Sequence, residues 1–410
     1  MKVLFVLTDD FPFTGACASL LNNLFFNADL SKSIEELEVL TAKHALTQVD
    51  VDVYKDVQIS RYLAWRYISM QDILESWKQN PITFFKGMGN KAYNWWLRKF
   101  NSAHFLNPVV VRSVVNSLEK MDAKRFDIIV GVAGDFSVLE GVRQFVHRRG
   151  NKFVVYQVDP CSTNYTMSNA SKKAREGFEI LCYEQADKVI TTPIICEEIN
   201  TRCPKQFTDK LIAMEFPNVV PSKVVPKKQR ERDHVECVFT GSIYSGIRNP
   251  DYSIHLFEEL AHSNVNFRIV GFSDVNLSTK ITSNNIQHIE MLGLEETKEI
   301  LANADILVNI GNVMTNQVPS KLFEYISTGK PIVNICKNRD CPTLPYLSQY
   351  PMALNLFEDD DLEKQAMILE KFIQENQGKI IPKGELLCLY EKCTPVYCAN
   401  QIMQEFSSIL

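Results

Sequence analysis

The run Asn309-Ile310-Gly311-Asn312-Val313-Met314-Thr315-Asn316-Gln317-Val318-Pro319-Ser320-Lys321-Leu322-Phe323-Glu324-Tyr325-Ile326-Ser327-Thr328-Gly329-Lys330-Pro331-Ile332-Val333 reads as strand, loop, helix and second strand. Ile306–Ile310 is apolar and β-branched, and Pro331–Ile335 repeats that texture. Ser320 stands where a helix cap is expected, and Gly329 with Pro331 stops the helix. A helix that starts above the ends of parallel strands turns backbone N–H groups toward a phosphate-binding space. Glu324 falls near the first turn, where the helix dipole favours a carboxylate. There it can accept hydrogen bonds from two neighbouring ribose hydroxyls, or stand as a surface acid beside Lys321.

The same alternation extends in both directions. After the quoted run's own strands, Cys237–Thr240 reads as a strand ending in Gly241, Tyr252–Ala261 as a helix and Asn266–Val270 as a strand ending in Gly271. Ile286–Met291 is a further strand. Nearer the start, Val3–Leu7, Ile128–Val132, Phe153–Val158 and Lys188–Thr191 are short, nearly continuous apolar runs, the form of strands covered on both faces. A helix is expected near Ser19–Phe26. Between the two series, Pro217, Pro221 and Pro226 mingle with Lys223, Lys227, Lys228, Arg230 and Arg232, the texture of a linker. The expected organisation is α/β: a first Rossmann-like domain over 1–220, a linker over 221–233 and a second Rossmann-like domain over 234–390. The segment 391–410 opens on Thr394-Pro395, a cap followed by proline, and Val396, Ile402, Met403 and Phe406 give it an apolar face. This last helix is expected to pack back on the first domain.

A chain of 410 residues suits two domains of roughly 200 residues each. Its 45% apolar and 23% charged residues fit full cores rather than disorder. A net charge of -5 argues against a general nucleic-acid binder. The 11 cysteines form no C-x-x-C pair, which fits reduced structural thiols better than a zinc site. No stretch approaches the ~18 apolar residues of a membrane span, and the apolar run Val3–Leu7 is too short for a signal peptide, so a cytoplasmic place is expected. There is no phosphate loop with a terminal Gly-Lys-Ser/Thr, no G-x-G-x-x-G after a strand, no H-E-x-x-H and no G-x-S-x-G.

A helical insertion is expected at about 60–105, where all 4 tryptophans lie. Within 76–104, Lys78, Lys86, Lys91, Arg98 and Lys99 are interleaved with Phe84, Phe85, Tyr93 and Phe100, and no acidic residue occurs. Such a texture serves either as aromatic packing on the first domain or as a face toward an anionic membrane or lipid-linked acceptor.

Phe239-Thr240-Gly241-Ser242-Ile243-Tyr244-Ser245-Gly246-Ile247-Arg248-Asn249-Pro250-Asp251 is a second strand–turn–helix opening. Together with Pro319-Ser320-Lys321-Leu322-Phe323-Glu324-Tyr325 and Thr328-Gly329-Lys330-Pro331-Ile332-Val333, it resembles the donor-binding signature of retaining GT-B glycosyltransferases. The likeness is to family 4, in particular a branch associated with bacterial surface polysaccharides. The resemblance is specific over 236–335 and looser elsewhere. Glu324 matches the family's ribose-binding glutamate. Asn316 stands in place of its partner glutamate, Pro319 in place of a loop glycine, and Ser242 in place of an arginine, while Arg248 lies one position beyond the usual lysine. Gly15 matches a glycine that lets backbone approach the donor phosphate, or is only a turn glycine, and Asp159 falls where relatives carry a histidine or aspartate pointing into the cleft, to orient the acceptor hydroxyl or to cap a helix.

The resemblance implies two Rossmann-like domains facing across a cleft. It also implies sugar transfer from a nucleoside diphosphate sugar to a glycan, lipid-linked or other hydroxyl acceptor, with retention, and with neither metal nor cofactor. Arg248 and Lys321 would neutralise the departing diphosphate, Glu324 anchor the ribose, Asn316 touch the sugar and Asp159 orient the acceptor. Gly241, Gly271, Ser242, Ser320 and Gly15 would shape the donor pocket. A nucleotide-sugar epimerase and a silent glycan- or protein-binding relative are the competing expectations.

Overall fold

The computed structural model describes residues 1–12, 15–43, 51–63, 105–162, 169–203, 205–220 and 234–410, with isolated positions between 81 and 92. The insertion surface at 76–104, apart from those positions, and the linker at 221–233 lie outside the described residues, as do the four tryptophans. The chain divides into two units, Met1–Pro217 with Pro395–Leu410, and Asn218–Thr394.

The first unit is built on strands β1 (Lys2–Val6), β2 (Glu36–Lys43), β3 (Val53–Tyr54), β4 (Val57–Leu63), β5 (Ile128–Val132), β6 (Lys152–Gln157), β7 (Lys188–Thr191) and β8 (Leu211–Ala213). They form one sheet in the order β3-β4-β2-β1-β5-β6-β7-β8. Only β3 against β4 is antiparallel. From β1 the chain runs outward to β2 and β4, then returns to β5 on the other side of β1, so the topological switch lies between β1 and β5. Every residue of β5 is buried, as the unbroken apolar run Ile128–Val132 requires. β2 escapes a sequence reading because Glu36, Glu38 and Lys43 interrupt its apolar residues. Inside the sheet Glu38 is held by the Ser60 hydroxyl at 2.9 Å and by Arg125 at 2.6 Å.

The helix Pro395–Ile409 belongs to this first unit, as its apolar face required. Phe406 is fully buried with its ring 6.4 Å from that of Phe5. Glu405 pairs with Lys188 at 2.8 Å, and Gln401 donates to the Ala213 carbonyl at 3.2 Å.

The second unit holds β9 (Val235–Thr240), β10 (Val265–Val270), β11 (Ile286–Ile289), β12 (Ile306–Ile310), β13 (Ile332–Cys336) and β14 (Ala353–Phe357). All pairings in the order β11-β10-β9-β12-β13-β14 are parallel. The switch here lies between β9 and β12. Register places Asn309 opposite Asn334 and Asn334 opposite Asn355. Their amides form a buried ladder, Asn309 donating to Asn334 and Asn334 to Asn355, each at 2.7 Å. The helix Lys321–Thr328 ends at Gly329 in the left-handed region, φ 73°. Lys330, only 6% exposed, donates to the carbonyls of Leu301, Ala302 and Ala304 at 2.8, 2.7 and 2.6 Å. It thus neutralises the carboxyl end of the helix Leu294–Asn303. The 11 cysteines are all free thiols. Two Rossmann-like α/β halves in tandem are therefore the architecture of the chain.

Candidate functional site

In the second unit the sequence-predicted donor residues gather at the carboxyl ends of β9, β10 and β12. Gly241 and Gly271 follow β9 and β10 with φ of 154° and 136°. A Cβ on Gly271 would stand 2.3 Å from the Gly241 carbonyl oxygen, so the two strand ends meet backbone to backbone. The loop after β9 is then tied sideways. Ile243 donates its N–H to the Phe272 carbonyl at 2.8 Å, and Val313, after β12, donates to the Ile247 carbonyl at 2.7 Å.

Arg248 sits at that junction. Its Nη1 donates to the Ser242 carbonyl at 3.0 Å, its Nη2 to the Asn312 side-chain oxygen at 2.8 Å, and its guanidinium lies 5.3 Å from the centre of the Phe239 ring. Nε is buried with no hydrogen-bond acceptor. Burial lowers the pKa of this guanidinium, and among the described residues no carboxylate forms an ion pair with it. A half-buried cation whose partners among the described residues are a carbonyl, an amide oxygen and an aromatic face is electrostatically incomplete. Its remaining N–H groups suit an anion at the switch point.

The helix Lys321–Thr328 brings the other donor residues to the same edge. Tyr325 fixes it there. Its hydroxyl accepts the Thr240 N–H at 2.8 Å, and burial pushes its pKa up to about 12. Ser320 occupies the cap position, but its side chain makes no capping hydrogen bond, because its backbone is already helical at φ -59° and ψ -28°. The amides of Leu322 and Phe323 donate back to Pro319 and Ser320 at 3.0 and 3.2 Å. These two amides of the helix start are thus used within the turn rather than offered outward. Glu324 is exposed and makes no ion pair with Lys321, so the i, i+3 surface pair is not formed. Surrounding protein raises its carboxyl above the usual range, with Lys321 opposing, and solvent access limits the push. Asn316 is buried at 7% exposure. Beside this edge Tyr244 and Phe272 form an exposed aromatic pair, ring centroids 5.6 Å apart.

In the first unit the corresponding edge is arranged differently. Gly15, φ 111°, precedes the helix Ala16–Asn22. The room its missing Cβ leaves is filled by the Asp9 carboxylate, 2.1 Å from where a Cβ would stand. One Asp9 oxygen accepts the N–H groups of Cys17 and Ala18 at 2.7 and 3.1 Å. Asp159, exposed after β6, shares this edge, since its charge and that of Asp9 both act on Cys17, whose thiol is pushed up chiefly by burial. The loop carrying Asp159 is anchored through Gln157, which donates to the Asp159 carbonyl at 3.0 Å and to buried Glu179 at 3.0 Å.

Sequence reasoning missed Asn312, Tyr325 and Asp9 as structural partners of the site. Asn312 lies inside the quoted stretch, but its bond to Arg248 spans 64 positions and has no local signature. Among the described residues no three His, Cys, Asp or Glu side chains gather as a metal site, and no helix is long and apolar enough to cross a membrane.

The parallel sheets and their switch points define the class: this is the fold of GT-B glycosyltransferases. Among solved structures, the chain is similar to Anabaena HepE in complex with UDP, at TM-score 0.62 and 14% identity, with 100% of each chain covered. It is similar to the lipopolysaccharide outer core galactosyltransferase WaaB in its apo form, at TM-score 0.57 and 12% identity, again over 100% of each chain. A putative UDP-N-acetylglucosamine 2-epimerase from Listeria monocytogenes gives TM-score 0.56 and 12% identity, covering 98% of this chain and 94% of the other. No protein-family model matches the sequence. No curated protein matches it either.

Proposed function

We propose that this chain is a glycosyltransferase that moves a sugar from a nucleoside diphosphate sugar to a hydroxyl acceptor with retention of configuration. The observation that carries the reading is Arg248, a half-buried guanidinium whose partners among the described residues are neutral, at the switch point of a parallel sheet. HepE, of the same fold, is solved with UDP, which supports a uridine diphosphate sugar as the donor to test first.

In this reading Arg248 and Lys321 hold the diphosphate. As the sugar–oxygen bond breaks, its electron pair goes to the diphosphate, where fixed positive charge stabilises it. The acceptor hydroxyl arrives on the face the diphosphate leaves and passes its proton to the departing diphosphate oxygen as the new bond forms. Glu324 accepts the two ribose hydroxyls, Asn316 contacts the sugar, and Gly241 and Gly271 keep the strand ends low enough for the diphosphate to approach. Ser242 serves through its carbonyl on Arg248, and Ser320 borders the pocket. Tyr244 and Phe272 offer an aromatic face to a base. In the first unit Asp159 orients the acceptor, a glycan or lipid-linked alcohol of the kind used for surface polysaccharides, and Gly15 shapes the neighbouring turn. The basic, aromatic segment 76–104 is the proposed contact with an anionic membrane on its cytoplasmic side.

No metal or cofactor is part of the proposal, because cationic side chains carry the leaving charge. Initial rates are expected to survive chelator; a collapse rescued by manganese would point to different chemistry. The decisive experiment is calorimetry with a panel of nucleotides and nucleotide sugars, followed by a search for sugar transfer. Binding of a nucleoside diphosphate that disappears in Arg248→Ala supports the reading; indifference to every nucleotide refutes it. The epimerase of the same fold motivates a second reading. Epimer formation in the absence of any acceptor would select it.

A further inference from the structure

The transfer reading uses the charge of Arg248, and Asn312 is the side chain that meets its Nη2. Asn312 follows Gly311 at the end of β12 and is only 8% exposed. Its side-chain oxygen accepts from Arg248 Nη2 at 2.8 Å. The backbone beside it is pinned, since the next residue, Val313, donates to Ile247 at 2.7 Å. Gly311, the residue before, packs so closely that a Cβ there would stand 2.9 Å from the Ile335 carbonyl oxygen. Asn312 therefore meets the guanidinium in a fixed geometry.

Three half-buried arginines elsewhere in the protein meet carboxylates. Arg61 pairs with Asp10 at 2.7 Å, Arg143 with Glu140 at 2.7 Å and Arg202 with Glu179 at 3.2 Å. Arg248 meets an amide of the same shape as an aspartate, without the charge. The geometry points to Asn312 as a positioning residue that orients Arg248 while leaving its positive charge uncancelled for the diphosphate of the donor. The inference rests on the nucleotide-sugar reading of this site. In physical terms, an amide oxygen supplies direction through one hydrogen bond. A carboxylate at the same place would supply direction and also a competing anion.

The test is Asn312→Asp beside Asn312→Ala, in the full chain, with UDP and inorganic pyrophosphate as probes. Asn312→Asp completes a buried ion pair, so the ligand-free protein is expected to melt higher than the wild type. That gain is present above the usual carboxylate range and lost as pH falls through the depressed native pKa of the new aspartate. The same substitution places a carboxylate against the bound diphosphate, and affinity for UDP and pyrophosphate is expected to fall about 100-fold. Asn312→Ala removes only the hydrogen bond; it should melt lower and lose less than about tenfold in affinity. A steric or purely structural role would move melting and binding in the same direction in both variants.

An Asn312→Asp protein that melts no higher than the wild type overturns the inference. So does one that binds UDP as well as Asn312→Ala does. A wild type that binds neither probe refutes the nucleotide reading instead, and the melting comparison still decides whether Asn312 keeps Arg248 uncancelled.

Discussion

Arg202 in the first unit and Arg248 in the second are both drawn into the protein, yet they keep opposite company. Arg202 reaches Glu179 at 3.2 Å, Glu176 at 3.8 Å and Glu198 at 3.9 Å, and donates to the Ser162 hydroxyl at 2.9 Å. Burial works to lower its pKa, but the surrounding carboxylates outweigh it and the net shift is upward. Arg248 has a carbonyl, an amide and a ring, and burial leaves its pKa lowered. The first arrangement closes its own electrostatics and ties helix Asn169–Gln185 to the loop after β6. The second leaves a charge open at the place where parallel sheets bind ligands. The helix starts differ in the same sense, since Asp9 already fills the turn at Gly15 while no carboxylate among the described residues pairs with Arg248.

The largest effect expected from breaking this contrast is on stability. Arg202→Ala strands buried Glu179 and should cost about 3–5 kcal/mol in denaturant unfolding followed by circular dichroism. UDP affinity should stay where it was. If unfolding is unchanged, the Arg202 cluster is not the structural counterpart described above.

Arg248→Ala should do the reverse. Turnover with the true donor is expected to fall about 10²–10³-fold, the scale of a lost transition-state donor, with melting little changed. Arg248→Lys should recover part of the loss, because a point charge cannot reproduce the two-pronged contact of a guanidinium. Lys321→Ala should act on the same charge, so the double variant should lose less than the product of the single losses. Wild-type turnover in a folded Arg248→Ala protein would sink the distinction between the two arginines.

Glu324 sharpens the comparison within the second unit, as an exposed acid with no ion pair to its neighbour Lys321. Glu324→Ala should weaken nucleoside diphosphate binding by roughly 1.5–3 kcal/mol in calorimetry while leaving the melting temperature alone. Unaltered affinity would return Glu324 to the ordinary helix surface.

The smallest contrast sets two helix starts against each other. Asp361 accepts the Lys364 N–H at 3.0 Å, so Asp361→Ala should cost about 1 kcal/mol. Ser320 makes no such bond, and Ser320→Ala should stay within about 0.5 kcal/mol. Equal losses in denaturant titrations would mean that Ser320 caps its helix in solution.

The alternation of buried strands and helices was legible in the chain wherever strands are apolar throughout. Ile128–Val132, Lys188–Thr191 and Ile306–Ile310 fall where periodicity placed them. Strand β2 was not legible, since Glu38 lies inside it and is satisfied by Ser60 and Arg125, residues distant in sequence. The glycines at 241 and 271 could be marked as turns, but that the Gly241 backbone leaves no room for a side chain at 271 is a fact of two strands side by side. The capping reading of Ser320 followed residue type and failed on backbone conformation.

By itself the sequence determined the α/β class and the two tandem halves, because local apolar periods and turn residues encode where chain segments begin and end. Only the tertiary structure decided which residues share an edge and in what electrostatic state. Arg248 as text is a loop cation. Between Ser242, Asn312 and Phe239 it becomes a half-buried charge with which no carboxylate among the described residues pairs. The physical reason is that desolvation and charge pairing depend on distance in space, and the partners that set them come from strands far apart along the chain.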